Sequence, residues 1–257
     1  MKRKSIFGVI ILLVFVQCSS NSSKVLRNIP RTERKNLMIL NLKNTTLKMK
    51  AEEFMPWEFG IASMLMTDLE SIGLFNIISR ERLKDVLSAQ EFQLSGLVDP
   101  AKAVELGKIV AAKYILAGSF MEMGGTLRIE SQVFSVETGA QLGAAFVTGE
   151  TKRFFELEKE LVIKIGAYLD AMLTASETSA LKKKVETKSV EASLNNYAGE
   201  IAMLNAEELK KKGNQDKAKA ELNRAKEEFK EALKYDPNYE RAKKNLAKIA
   251  MSIPVTL

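Results

Sequence analysis

Apolar positions along this chain follow two periods, and the switches between them lay out a mixed α/β region followed by a long helical tail. The run Asn36-Leu37-Met38-Ile39-Leu40-Asn41-Leu42 is apolar at consecutive positions, the pattern of a strand covered on both faces. After a polar stretch, Trp57, Ile61, Leu65, Leu69 and Ile72 recur at helical spacing with Asp68 and Glu70 on the other flank, and Gly73 ends the segment. Phe75 to Ser79 predicts a second strand. Ser79 then caps a helix to about Phe92, with Leu83, Val86, Leu87 and Phe92 inward; Arg82 stands where a capping box would carry Glu, so the cap is partial. Asp99-Pro100 opens another helix with Ala103, Leu106, Val110 and Ala111 on its apolar face.

Three strands follow: Lys113 to Met121, Thr126 to Val136 with Leu127 and Ile129 alternating against Arg128 and Glu130, and Gln141 to Gly149. Gly124-Gly125 and Glu137-Thr138-Gly139-Ala140 are their turn sequences. A helix from Phe154 to Leu173, with Leu157, Leu161, Ile165, Tyr168 and Met172 facing in, closes the region. The order β-α-β-α-α-β-β-β-α predicts an α/β sandwich with a mixed sheet, over residues 36–175. Residues 176–194 lose the period and read as a linker, or as the frayed start of a helix. Residues 195–253 are helical in pattern and rich in Ala, Glu and Lys.

The N-terminus changes the reading of charge. Of a formal net charge of +7, Lys2, Arg3 and Lys4 belong to a basic start that is followed by the apolar run Ile6–Val16 and by Gln17-Cys18-Ser19-Ser20. This is the arrangement of an exported signal, residues 1–17. The apolar run is too short for a membrane-spanning helix, which needs roughly 17–25 residues. Cys18 is the single cysteine, so no internal disulfide is available, and it stands where a lipoprotein signal peptidase cuts. Gln17 departs from the small residue usual before a lipidated cysteine, and an ordinary signal with an incidental cysteine is the alternative. Ser19 to Ser23 reads as a flexible tether, within residues 18–35. Acylation at Cys18 exceeds the two-signal threshold for stable membrane attachment, and Ser19 rather than Asp favours outer-membrane sorting. The charge left after the signal is spread over Lys/Glu-rich helices without an aromatic-basic platform, so nucleic acid is not an expected partner.

Catalytic chemistry has little to draw on. The chain holds no histidine, which removes the commonest general base and metal ligand, and its one thiol is assigned to lipid. Glu156, Glu158 and Glu160 diverge along their helix and read as a solvated face. No Walker-type phosphate loop and no dinucleotide fingerprint occur. Neither an enzyme activity, nor a cofactor, nor a metal is expected.

Two stretches resemble known families. Ile78-Ser79-Arg80-Glu81-Arg82-Leu83, Gln90 to Asp99, Leu106-Gly107-Lys108, Ala112 to Ser119 and Val136-Glu137-Thr138-Gly139 together resemble the CsgG-like (curli production assembly/transport) family over roughly residues 36–175. Its architecture is shared with the TolB N-terminal domain and FlgO-type lipoproteins. Arg80 and Arg82 read as residues covering a helix flank, since no glycine-rich anion loop precedes them. Ala225, Phe229, Ala232 and Pro237 resemble the second helix and closing turn of a tetratricopeptide repeat, with Gly213 at the interhelical turn, seven residues further from Pro237 than the repeat has it. A plain helical hairpin or coiled-coil-like tail explains the same residues.

The resemblance implies an envelope lipoprotein facing the periplasm, tethered to the outer membrane by Cys18, whose partners are other envelope proteins and, by analogy with the family, copies of itself. The expected role is non-catalytic assembly or adaptation. The alternative is a subunit of a curli-type secretion channel, in which each subunit inserts two long hairpins into a shared barrel. Met121 to Thr126 is a tight turn where the first would stand, and Glu150 leads directly toward the last helix where the second would stand, so channel formation is disfavoured.

Overall fold

The computed structural model of the protein describes residues 27–89 and 100–252. In chain order these form β1 (Lys35–Ile39), β2 (Lys43–Asn44), α1 (Lys48–Ala51), α2 (Pro56–Ile72), β3 (Phe75–Ile77), α3 (Arg80–Ala89), α4 (Pro100–Ile109), β4 (Tyr114–Met123), β5 (Thr126–Ser135), β6 (Gln141–Glu150), α5 (Phe154–Tyr168), α6 (Ala175–Lys182), α7 (Val190–Lys211), α8 (Gln215–Tyr235) and α9 (Glu240–Ser252). The mixed α/β order read from the apolar pattern is therefore present, with β2 and the single turn of α1 added to it.

The sheet runs β3-β1-β4-β5-β6, with β2 beside β4. β1 is parallel to β3 and to β4, whereas β4, β5 and β6 are an antiparallel meander. Side chains alternate across a strand, and this explains the unbroken apolar run in β1. Leu37 and Ile39 enter one core with α2 and α5, while Met38 and Leu40 enter a second with Leu83 of α3 and Leu106 of α4. Each such fully buried aliphatic side chain contributes roughly 1.5–3 kcal/mol.

The β4–β5 connection is Gly124-Gly125, both at positive φ, which glycine alone adopts without strain. Buried Glu122 fixes this turn by accepting the Gly125 N–H at 2.7 Å. At the other end of β6, a short 3-10 turn at Thr151–Arg153 leads straight into α5. Among the described residues, no helix is long and apolar enough to cross a membrane.

Three details differ from the reading of the sequence. α5 stops at Tyr168, because the Gly166 carbonyl accepts N–H bonds from Leu169 and Ala171 and turns the chain away. Tyr168 and Met172 consequently stand 38% and 76% exposed rather than facing in. Residues 176–194 contain α6, whose cap is a Thr174–Glu177 capping box and whose Leu181 is buried in the main core, and also the first turn of α7. Short length and Lys182-Lys183-Lys184 hide that helix from a periodicity argument. The expected inward residues Leu87 and Phe92 have side chains outside the described part of the chain.

Candidate partner-binding cleft

Cys18 lies outside the described residues. The chain enters the described structure at Arg27, whose guanidinium bonds Glu177 of α6 at 2.7 and 3.0 Å and the Met172 carbonyl at 2.6 Å, while its N–H reaches the Ile72 carbonyl. The Arg27 contact holds the Glu177 carboxyl at about 2, well below the carboxylate range. This clamp ties the first described residue to α2 and α6.

Of the residues singled out in the tail, Ala225, Phe229 and Ala232 lie at a helix contact, whereas Gly213 and Pro237 stand in exposed turns. Gly213 forms the α7–α8 turn at a φ of +79°. Ala225, Phe229 and Ala232 are buried along α8 toward α7, and the Phe229 ring lies over Gly199 so closely that a β-carbon there would stand 2.6 Å away. Pro237 stands in the Asp236–Tyr239 turn before α9, and Tyr239 beyond it is buried. Small residues thus admit close helix approach and one ring fills the groove.

α7 also lies directly on α2. The indole N–H of Trp57 donates to the Ser193 hydroxyl at 3.2 Å, Gly60 sits under the Tyr197 ring, and Lys84 of α3 pairs with Glu208 at 2.7 Å. The small residues Gly60, Ala62 and Ser63 of α2 are the sequence signal for such close packing. They did not reveal which helix would supply it.

Arg241 of α9 is the electrostatic hub. Its guanidinium grips both oxygens of Glu200 at 2.6 and 2.9 Å, donates to the Ser63 hydroxyl at 2.7 Å, approaches Glu186 at 3.4 Å and lies over the Tyr197 ring. Asn196 and Asn245 donate to the same Glu200 oxygen at 3.0 and 2.8 Å. Burial alone would raise the Glu200 pKa, but the Arg241 charge and these three donors hold it below its usual value. Arg241 was not singled out from sequence, since a Lys/Arg-rich helix offers no sign of which cation turns inward.

Between α2, α3, α7 and α9 this hub leaves an open cleft of about 970 Å³, lined by Phe59, Glu81, Met203, Glu207, Lys244 and Lys248 among others. Its lining mixes apolar side chains with carboxylates and cations. The acidic residues of α5 are placed otherwise than the solvated face read from sequence. Glu156 is exposed and Glu160 half-buried, but Glu158 is fully buried and stands 3.1 Å from Lys159, which itself pairs with buried Asp68 of α2. The α6–α7 connection covers this flank, so an outward-facing register became an inward one.

No curated protein matches the chain. Solved structures similar to it include the LpoB C-terminal domain from Escherichia coli, at 18% identity over 46% of this chain and 83% of that one, with a TM-score of 0.37. The PelC dodecamer from Paraburkholderia phytofirmans matches at 17% identity over 58% of this chain and 95% of that one, TM-score 0.36. A lipoprotein from Neisseria meningitidis matches at 13% identity over 54% and 99%, TM-score 0.35. The sequence profile of the curli production assembly/transport component CsgG matches residues 25–153, the segment that carries the sheet, and the chain belongs to the CsgG family.

Proposed function

We propose that this protein is a lipid-anchored, non-catalytic assembly or adaptor protein of the bacterial cell envelope, held at the periplasmic face of the outer membrane through Cys18. The observation that carries this reading is the docking of the α7–α8 helical hairpin onto a CsgG-family domain, with a cleft of about 970 Å³ left between them. Such a cleft supplies an apolar floor for a partner and charged walls for register. Export and acylation explain the basic-apolar N-terminus and the single cysteine. The β4–β5 turn of two glycines and the short β6–α5 connection weigh against a channel subunit, since each membrane hairpin needs two strands of roughly 9–11 residues. Self-association through the α/β domain is expected from the family.

The test is crosslinking in the native envelope with the anchored chain, compared with a Glu207→Lys, Lys244→Glu variant of the cleft. A defined protein recovered with the wild type and lost with the variant supports the reading. Ion conductance in bilayers, or turnover that survives clean purification, would remove it. A fatty-acid probe tests the anchor separately: labelling that persists in Cys18→Ala would place the lipid elsewhere.

A further inference from the structure

Arg80 opens α3 at the junction of the two regions; the residue is half-buried, and its guanidinium is held by α2 and the β1–β2 connection. One nitrogen donates to the Asn41 side-chain oxygen at 2.7 Å and another to the Phe59 carbonyl at 2.9 Å, while the plane lies 3.9 Å over the Phe59 ring. Its Nε–H is buried without an acceptor. Both hydrogen-bond partners are neutral, and among the described residues no carboxylate forms an ion pair with it. Glu200, whose charge acts on Arg80, is committed to Arg241 through both oxygens. Burial lowers the Arg80 pKa to about 10, so the group is cationic at neutral pH. Buried charges in proteins are ordinarily paired, because the desolvation cost is otherwise uncompensated.

The same side chain lines a second cavity of about 450 Å³ between α2, α3 and α7, on which Met55, Phe59, Leu83, Ile201 and Leu204 present apolar groups. That size, an apolar lining and a position at a domain junction are the attributes of small-ligand sites. The other cations at its wall are already committed: Lys84 pairs with Glu208, and Arg224 approaches Glu221 and Glu228 at 3.8 and 3.9 Å. Glu52 and Glu58 also line the cavity, and they set a limit on the ligand. They disfavour a doubly charged head such as a phosphate monoester and leave room for one negative charge beside Arg80.

We infer that this cavity is a binding site for an amphiphilic monocarboxylate, with the carboxylate paired to Arg80 and the hydrocarbon chain between α2, α3 and α7. The guanidinium supplies a charge-assisted, planar donor edge of the kind that matches a carboxylate. The apolar chain covers Met55, which stands 55% exposed.

The test is calorimetric titration of octanoate into the full chain held in amphipol, with octanol as the neutral arm that shares any partition into the amphipol. Saturable one-site binding of octanoate, absent for octanol, is expected. Arg80→Gln is expected to weaken it about tenfold or more, the worth of a hydrogen-bonded charge. Ile201→Trp fills the cavity without touching the charge and is expected to abolish binding, which keeps the test decisive should Arg80→Gln fail to fold. No saturable binding by the wild type, equal binding of octanol, or unchanged affinity in either variant would overturn the inference.

Discussion

The ring of Tyr197 in α7 lies so close over Gly60 in α2 that a β-carbon on residue 60 would stand 2.3 Å from it. This contact is among those that join the CsgG-family domain to its helical tail, with Trp57–Ser193 and Ser63–Arg241. Glycine in a helix interior ordinarily costs about 0.5–1 kcal/mol relative to alanine, so Gly60→Ala would be stabilising were the space open. Here the ring is hemmed in by Phe59 and by the Arg241 guanidinium, and overpacking costs typically 1–3 kcal/mol. Gly60→Ala is therefore expected to lower stability by about 1–2 kcal/mol in urea unfolding. Gly60→Ala with Tyr197→Leu should recover part of that loss. A stabilised single variant would show that α7 does not press on α2.

Arg241 and Glu200 are expected to behave as a unit. Removing one member of a buried pair leaves the other charged and desolvated, at a cost of about 3–5 kcal/mol. Arg241→Met should approach that figure, and adding Glu200→Gln should restore much of it; additive losses in the double-mutant cycle would deny the coupling. The sign of the pH effect follows from the lowered Glu200 pKa. The folded state then binds fewer protons than the unfolded chain, so the pair's contribution is complete above the unfolded glutamate value of about 4.3 and is lost as pH falls through the lower folded value. Urea midpoints should fall below about pH 4.5 in the wild type and less steeply in the double variant.

Much of the fold was legible because its signals are local. The runs of β1 and β4, the glycine turns and the period of α2 each state a structure within one short stretch of chain. The spacing of Ala225, Phe229 and Ala232 likewise predicts a buried helix face, because small residues around one ring are a pattern of close helix pairing. What escaped is long-range. Nothing near Gly60 names Tyr197, and nothing near Ser63 names Arg241, since these contacts join residues more than a hundred positions apart. Asp68, Glu158 and Lys159 were hidden by their own polarity: a charged residue reads as outward until a covering segment, here the α6–α7 connection, closes over it.

That buried trio makes an asymmetric prediction. Burial first, then the nearby Asp68 charge, raises the Glu158 pKa well above its usual value despite Lys159 at 3.1 Å. Lys159 and Asp68 thus form the ion pair while Glu158 is held toward its neutral form. A carboxyl whose folded pKa is raised binds more protons folded than unfolded, so stability is lost as pH rises from about 4.3 toward the folded value. Glu158→Gln is expected to be near neutral at pH 4 and to stabilise at pH 7 by about 1 kcal/mol, or ~2–4 °C in Tm for a protein of this size. Asp68→Asn should instead cost about 3–5 kcal/mol at pH 7, because Lys159 is left buried without its main partner. Equal losses in the two variants by calorimetry would contradict this division of roles.

The last expectation concerns whether the helical region is an appendage or part of the core. Trp57 is the only tryptophan of the chain and is fully buried. Its indole stacks on Phe154 of α5 at 4.1 Å and donates to Ser193 of α7 at 3.2 Å, so it touches both regions at once. Tyr197 and Leu181 belong to the same apolar cluster as the sheet residues Leu37 and Leu116. A core continuous across the boundary predicts one cooperative unfolding event. Trp57 fluorescence should therefore shift to the red at the same denaturant concentration at which the far-ultraviolet helix signal, to which the three C-terminal helices α7, α8 and α9 contribute, is lost. Ending the chain before Val190 removes the Ser193 and Tyr197 contacts and uncovers Trp57, Gly60 and Ser63, so that form is expected to expose apolar surface, bind a hydrophobic dye and self-associate. Two separated transitions in the whole chain, or a shortened chain that is monomeric with an unshifted Trp57 spectrum, would show instead that the α/β domain completes its own core and that α7 only rests upon it.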